Sequence, residues 1–359
     1  MDRARRYSFL RYIIFFINLG VSLLFLSIIY LTGVSSLLKE LSSFLSRNRF
    51  GYIAGYTLFL GLSYYVVSFA IHLYGSYILE HKFSLSTQGF KGWLKDEIKE
   101  VILSLMIALV LIEAFYFIVD RFRDLWPILM TLFWIIFSMI LTMIFPTVIL
   151  PLFFKYKKLQ DSDLKEKIFS LAKKLEIKIL DVFEIDLSKK SLKANAALAG
   201  LGKTKRALVS DTLRDKYSLQ EIEVILAHEF SHFKLNHILK HVVINTVFVF
   251  FSFCLISYLF RSLEISIEDI KNFPILAISF ILIGVIYKPL QNFISRRFEA
   301  NADILSLRVT KDTDSFISVM ERLANQNLSL RNPNLFIKLF FFDHPPIDER
   351  IKMAIDFKD

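Results

Sequence analysis

The sequence predicts a mainly α, polytopic helical membrane protein of about six spans, with one small α+β segment at its cytoplasmic face. Three observations predict this. The 359-residue chain is 54% apolar, carries 37 Phe and has a mean hydropathy of +0.48, far above a soluble domain. Six apolar runs each approach the roughly 20 residues that cross a bilayer as a helix. A single long polar stretch, about 151–241, interrupts them and contains the spacing H-E-x-x-H near its end.

The runs fall at about 10–31, 53–79, 101–119, 126–150, 242–260 and 273–290. The sixth is the weakest, since Lys288-Pro289 ends its uninterrupted apolar part at Tyr287, and a partly inserted helix is its alternative. The first run is too long for a cleaved leader and lacks a small-residue cleavage site. An even number of spans puts both termini on one side. Lys and Arg favour that side: Arg3, Arg5, Arg6 and Arg11, then Lys82, Lys91, Lys95 and Lys99, then the region from Lys155 onward. Such an excess marks the cytoplasm. The net charge of +10 is therefore assigned to cytoplasmic loops and to membrane lipid, and no nucleic-acid partner is expected. The one cysteine, Cys254, lies in an apolar run, which excludes an internal disulfide and argues against a cysteine metal site. His72 and Glu113 place ionisable groups at membrane depth, and neither is assigned a catalytic role.

The chain thus divides into a four-span region (1–150), a soluble segment (151–241), two further spans (242–294) and a C-terminal segment (295–359). In the soluble segment, Asp163 to Leu175 has helical spacing. Ile177 to Leu187, Ala194 to Leu201 and Arg206 to Ser210 read as short strands. Asn195-Ala196-Ala197-Leu198 is the candidate edge, to which an extended peptide could add by backbone hydrogen bonds; an ordinary buried strand has the same pattern.

Ser218-Leu219-Gln220-Glu221 reads as a capping box. No Gly or Pro follows as far as His241, so the helix it opens is expected to run through Ala227-His228-Glu229-Phe230-Ser231-His232. His228 and His232 are one turn apart and face the same way, as two ligands of one Zn²⁺ must. Glu229 stands beside them, where a carboxylate can take a proton from a metal-bound water. The position ten residues after His228 is Ile238, so a third histidine at that spacing is excluded. His237 is off the face of the motif pair and His241 lies more than two turns on. Both read as headgroup-level residues or as groups behind the ligands. A better third ligand lies in Ser295 to Asp303, on a helix emerging from the sixth run. Glu299 can reach the metal, and Asp303, one turn on, can accept a ring N–H from a ligand histidine. As bare spacing, E-x-x-x-D is common on solvated helix faces.

These residues together resemble the membrane-embedded CAAX prenyl protease family, integral-membrane zinc endopeptidases of the gluzincin type. His228 to His237 resembles its extended metal signature, and Ser295 to Phe298 with Glu299, Ala302 and Asp303 its second signature. His344-Pro345-Pro346-Ile347-Asp348-Glu349-Arg350 resembles its H-P-P-x-x-x-R motif. Glu80 to Lys99, Pro146 to Leu159, and Asn195-Ala196 before Arg206-Ala207-Leu208 resemble further segments, so the resemblance covers about 80–359. It implies a zincin-like catalytic domain holding one Zn²⁺ per chain on His228, His232 and Glu299. Glu229 would be the general base and Asp303 the partner behind the ligands. His344 and Arg350 would face substrate backbone or the oxyanion, and Asn195, Ala196 and Ala197 would bind substrate. From the residues alone, His344 could equally be a loop histidine held by two prolines.

The expected function is zinc-dependent cleavage of a peptide or protein at the membrane, with residues removed after a lipidated cysteine. Two readings compete with it: a quality-control protease resembling the bacterial heat-shock protease HtpX, and a non-catalytic zinc-bearing scaffold. Glu229 argues against the scaffold, since a structural site needs only ligands. Eukaryotic family members carry an extra span and a longer insertion before the metal helix; here Leu213 leads almost directly to Ser218. That compactness suggests a prokaryotic plasma membrane with the catalytic side cytoplasmic. The endoplasmic reticulum is the alternative, although Asp356 to Asp359 is not a retention signal.

Overall fold

The computed structural model describes residues 2–200 and 205–358. The first run forms α1 (Arg3–Leu31), followed by a short α2 (Val34–Leu45) between the first two apolar runs. Three long helices follow: α3 (Arg49–Lys82), α4 (Phe90–Arg121) and α5 (Trp126–Phe153). Two wide turns interrupt this region without ending a helix, one at Leu73–Ile78 and one at Phe145–Ile149. The second contains Pro146, whose missing N–H and bulky ring disfavour a regular turn. Near the first, His72 Nδ1 lies 4.0 Å from Glu97 Oε1, which also accepts from the Tyr65 hydroxyl at 3.1 Å.

The soluble segment is a four-stranded sheet with helices: β1 (Tyr156–Lys158), α6 (Ser162–Lys174), β2 (Val182–Ile185), β3 (Ala196–Ala199), β4 (Arg206–Ser210), α7 (Asp211–Lys216) and α8 (Leu219–Lys234). The strand order is β1-β2-β4-β3, with β2 parallel to β4 and the outer pairs antiparallel. The expected strands form but are shorter than the patterns suggested, and Leu201 lies outside the described residues. Leu226, Ala227 and Phe230 of α8 are fully buried against Leu198, Ala207 and Val209 of the sheet, which fixes the helix across it. The loop after α3 props the approach to β3: Thr87 N–H donates to Lys190 O at 3.2 Å, and Leu192 N–H to Leu85 O at 3.0 Å.

Two further long helices follow, α9 (His237–Ser262) and α10 (Phe273–Thr310), then α11 (Thr313–Gln326), α12 (Leu335–Phe341) and α13 (Ile347–Lys358). Six helices among the described residues (α1, α3, α4, α5, α9 and α10) are long and apolar enough to cross a membrane. The shortest has 26 residues, about 39 Å at 1.5 Å per residue, against a hydrocarbon core of about 30 Å. Their outward faces carry exposed large apolar side chains such as Leu31, Val66, Ile136 and Ile286. The Tyr7 hydroxyl donates to Glu80 at 2.6 Å and Lys193 pairs with Glu80 at 3.0 Å, so the start of α1 and the sheet lie at the same end of the bundle.

One expectation changes. The run from Glu221 to His241 is not one helix, because α8 stops at Lys234 and Asn236 takes a left-handed conformation at φ 55°. Asparagine tolerates that region and so restarts the chain as α9 in a new direction. Lys288-Pro289 ends the apolar run but not the helix, which continues into the Glu299 segment as the sequence predicts. Pro289 sits inside the 38-residue α10, so the boundary expected at 294/295 falls within one continuous rod.

Ser218 and Glu221 form the capping box reciprocally. Glu221 also accepts from Ser318 Oγ at 2.7 Å and Arg322 Nη1 at 2.6 Å, clasping α8 to α11. Burial pushes the Glu221 carboxyl up, but bonds from the Ser218 N–H, Ser318 and Arg322 outweigh it and hold the group below its ordinary range. Such a depressed carboxylate contributes stability above about pH 4.5, lost as pH falls through its folded value. Glu221→Ala should therefore destabilise the soluble domain at neutral pH by about 1–3 kcal/mol. A melting curve of the metal-free protein checks this; an unchanged midpoint would show that the clasp contributes nothing.

Candidate metal centre and substrate cleft

The two histidines of α8 point their Nε2 atoms at one spot, 3.1 Å apart. Glu299 of α10 reaches the same spot, with Oε2 3.1 Å from His228 Nε2 and Oε1 3.4 Å from His232 Nε2. One ligand atom from each of the three residues falls within 4.8 Å of the others. The long helix that leaves the membrane thus delivers the third donor to the soluble helix.

Asp303 is wholly buried one turn beyond Glu299, and its Oδ1 lies 2.7 Å from His228 Nδ1. Arg350 of α13 grips the same carboxylate with Nε at 2.7 Å and Nη2 at 2.6 Å. With His228 Nδ1–H donating to Asp303, its Nε2 presents a lone pair toward Glu299. Acceptors facing each other at 3.1–3.4 Å repel unless a cation lies between them. Glu299 Oε2 is accordingly buried without a hydrogen-bond partner among the described residues. A tetrahedral Zn²⁺ with bonds of 2.0–2.2 Å separates its ligands by about 3.3 Å, matching these spacings. Burial disfavours a charged His228, yet without a cation at that spot the Asp303 and Glu299 carboxylates overcome it and raise the imidazole to about 10, so that a proton stands where a metal would displace it. The donor set demands positive charge, and it fits a divalent metal.

Glu229 lines the cleft beside His228. Burial pushes its carboxyl above the usual range, against the pull of the two histidines. His344 turns Nδ1 to Asp343 at 2.8 Å and Nε2 toward Glu299 Oε2 at 3.3 Å. Burial lowers the affinity of His344 for a proton, but the Asp343 and Glu299 carboxylates prevail and raise it. His344 is therefore a half-exposed imidazole at the rim of the metal position, held by Asp343 and not an isolated loop residue. Asp343 was not singled out from sequence; a carboxylate directly before His344 was the available signal.

The structure adds detail at two expected sites. Arg350 borders the cleft, as expected, and its Nε and Nη2 also hold Asp303, a contact the motif spacing does not predict. At the edge strand, Asn195 pairs inward: its N–H donates to Ser210 Oγ at 3.1 Å and its carbonyl accepts from Ser210 N–H at 3.0 Å. By pleat alternation Ala197 also pairs inward, opposite Leu208, leaving the backbone groups of Ala196 and Leu198 free on the outer side. Of Asn195, Ala196 and Ala197, only Ala196 offers its main chain to a peptide. The cleft deepens into a cavity of about 230 Å³ whose apolar walls include Leu213, Val224, Phe316, Val319, Met320 and Leu323.

His237, which its sequence position marks as either a headgroup-level residue or a group behind the ligands, is fully buried with Nδ1 3.0 Å from His232 Nδ1. His241 contacts the Phe298 ring edge-on and borders a second cavity of about 850 Å³. That cavity lies between α4, α5, α9 and α10 and is largely apolar, with Phe115, Trp134, Phe248 and Phe280 among its walls.

A bundle of membrane helices with a His-His-Glu donor cluster at one end defines a membrane-embedded metallopeptidase. Comparison with known proteins narrows the class. The model of peptidase family M48 matches residues 158–356, and that of the CAAX prenyl protease N-terminal region, five membrane helices, matches 1–155. The second match carries the relationship beyond residues 80–359 to the first residue. Within it, four helices are long enough to span, whereas α2 has only 12 residues. The chain is 27% identical to the uncharacterized metalloprotease YhfN of Bacillus subtilis, over 98% of this chain and 84% of that one. It is 31% identical to the CAAX prenyl protease 1 homolog of Arabidopsis thaliana, over 80% of this chain and 69% of that one. The crystal structure of S. mikatae Ste24p superposes with a TM-score of 0.81 at 25% identity, covering 91% of this chain and 82% of that one. The chain belongs to peptidase family M48. It is a multi-pass integral membrane metalloprotease of the CAAX prenyl protease type.

Proposed function

We propose that one Zn²⁺ per chain is held by His228 Nε2, His232 Nε2 and a Glu299 oxygen. The carrying observation is the buried Glu299 Oε2, which lies 3.1 Å from His228 Nε2 and has no hydrogen-bond partner among the described residues, while Oε1 lies 3.4 Å from His232 Nε2. Two imidazoles and one carboxylate suit zinc and leave a fourth position for water or substrate. Bound zinc supplies a water of lowered pKa and polarises the scissile carbonyl.

The residues supply the rest. A substrate strand pairs with the free N–H and C=O groups of Ala196 and Leu198, which hold it across the metal position. A Glu229 oxygen takes the proton from the attacking water and returns it to the leaving amine. His344 donates from Nε2 to the oxygen that gains charge in the tetrahedral intermediate. Asp303, locked by Arg350, holds His228 in the tautomer that frees Nε2. The apolar cavity beside Glu229 accepts a large aliphatic side chain of the substrate.

The substrate we infer is a protein with a prenylated C-terminal cysteine, trimmed of the residues after it. The 850 Å³ apolar cavity adjoining the first turn of α9 offers an isoprenoid chain a place within the membrane and next to the metal helix. The relatives named CAAX prenyl protease support the same reading. The lysines and arginines at the sheet end of the bundle favour a cytoplasmic catalytic side. The end-to-end similarity to a Bacillus protein favours a prokaryotic plasma membrane.

The test is cleavage of matched peptides, one farnesylated at a CAAX cysteine and one unmodified, by the purified zinc-loaded chain. The farnesylated peptide should be cut after its cysteine with kcat/KM at least about tenfold above its partner, a difference of about 1.4 kcal/mol. Equal cleavage would remove the prenyl requirement. Cleavage only of unfolded membrane proteins would favour quality control instead.

A further inference from the structure

We propose that His237 fixes the tautomer and ring plane of His232 and thereby sets the strength with which this site holds its metal. The inference rests on the metal reading above. A ligating histidine normally passes its second N–H to a carboxylate, a carbonyl or water, and His228 does so with Asp303. Among the described residues no carboxylate lies at the second nitrogen of His232. Its Nδ1 lies 3.0 Å from Nδ1 of His237, a side chain 1% exposed.

Two ring nitrogens in contact share one proton, and its side decides the chemistry. With the proton on His232 Nδ1, His237 Nδ1 accepts and His232 Nε2 keeps a lone pair for the metal. With the proton on His237, neutral His232 carries its own on Nε2, where it blocks coordination. Metal binding therefore requires His237 as an acceptor, with its proton on Nε2. That atom is buried and unpaired among the described residues, a cost that a merely structural packing residue would not need to bear.

The surroundings hold His237 in this role. Its ring stacks on Phe298 at 4.6 Å between centroids and 9° between planes, and Phe298 directly precedes Glu299. The acceptor for one ligand thus leans on the residue next to another. The helix break at Asn236 is what brings His237 here. In an unbroken helix, five residues beyond His232 would face about 140° away, at 100° per residue. The left-handed turn at Asn236, φ 55°, swings it back to His232.

The experiment measures zinc affinity by competition with a fluorescent chelator, on the full chain in detergent, with melting of the metal-free protein alongside. His237→Leu fills similar space without an acceptor and should weaken zinc binding about 10–100-fold. His237→Asn places a carboxamide oxygen near the Nδ1 position and should stay within about threefold of the parent. The metal-free midpoints should agree. If Leu fails to fold, His237→Ala carries the same expectation against Asn. Zinc affinity unchanged in Leu, or equally lost in Leu and Asn, would overturn the role of His237. A parent chain that binds no zinc would overturn the metal reading itself, and the two failures are distinct.

Discussion

Glu229→Gln is expected to reduce peptide cleavage by about 10²–10⁴-fold while the protein still binds one zinc and melts as the parent does. The substitution keeps the size of the side chain and removes its capacity to take a proton. The ligand atoms belong to His228, His232 and Glu299, so metal content should not move. Burial already pushes the Glu229 carboxyl upward, which moves a base closer to working pH than a solvated carboxylate. Cleavage of the farnesylated peptide and metal content by mass spectrometry are the paired readouts. Near-parental turnover would take the base role from Glu229, whereas loss of zinc would mean that it is a ligand.

Asp303→Ala should damage both stability and metal binding. It leaves the Arg350 guanidinium, 8% exposed, without the carboxylate that takes its Nε and Nη2. Breaking a buried ion pair from one side costs about 3–5 kcal/mol. It also frees His228 from its orienting acceptor, and loss of such a partner weakens metal affinity by about 10–100-fold. Arg350→Met should fold better than Asp303→Ala, because Asp303 retains its bond to His228. Denaturant melts of the metal-free variants and chelator competition separate the two effects. If Asp303→Ala were as stable as the parent, the buried pair would not be what docks α13 onto α10.

The membrane helices were legible because the bilayer imposes length and apolarity directly on sequence, and α1, α3, α4, α5, α9 and α10 all carry that mark. The donor set was legible for a related reason. His228 and His232, like Glu299 and Asp303, are one helical turn apart, and that spacing is fixed by helix geometry alone. What sequence did not give depends on single backbone events or on docking. Asn236 changes the direction of the chain with one left-handed residue, and no periodicity reports it. That Arg350 grips Asp303 as well as bordering the cleft depends on how α13 packs against α10, which is a tertiary matter. At β3 the strand is legible but its register is not: a pleated edge offers its main chain outward only at every second residue, and which of Asn195, Ala196 and Ala197 does so depends on the pairing with β4. β1, three residues long, is too short for any alternation to show.

The central claim is that His228, His232 and Glu299 jointly hold one zinc ion at the end of the membrane bundle. Anomalous X-ray scattering at the zinc edge, from zinc-loaded crystals of the full chain, tests it most directly. A single strong peak within bonding distance of both Nε2 atoms and a Glu299 oxygen is the predicted result. A peak that omits Glu299, or none at that position in zinc-loaded crystals, would contradict it.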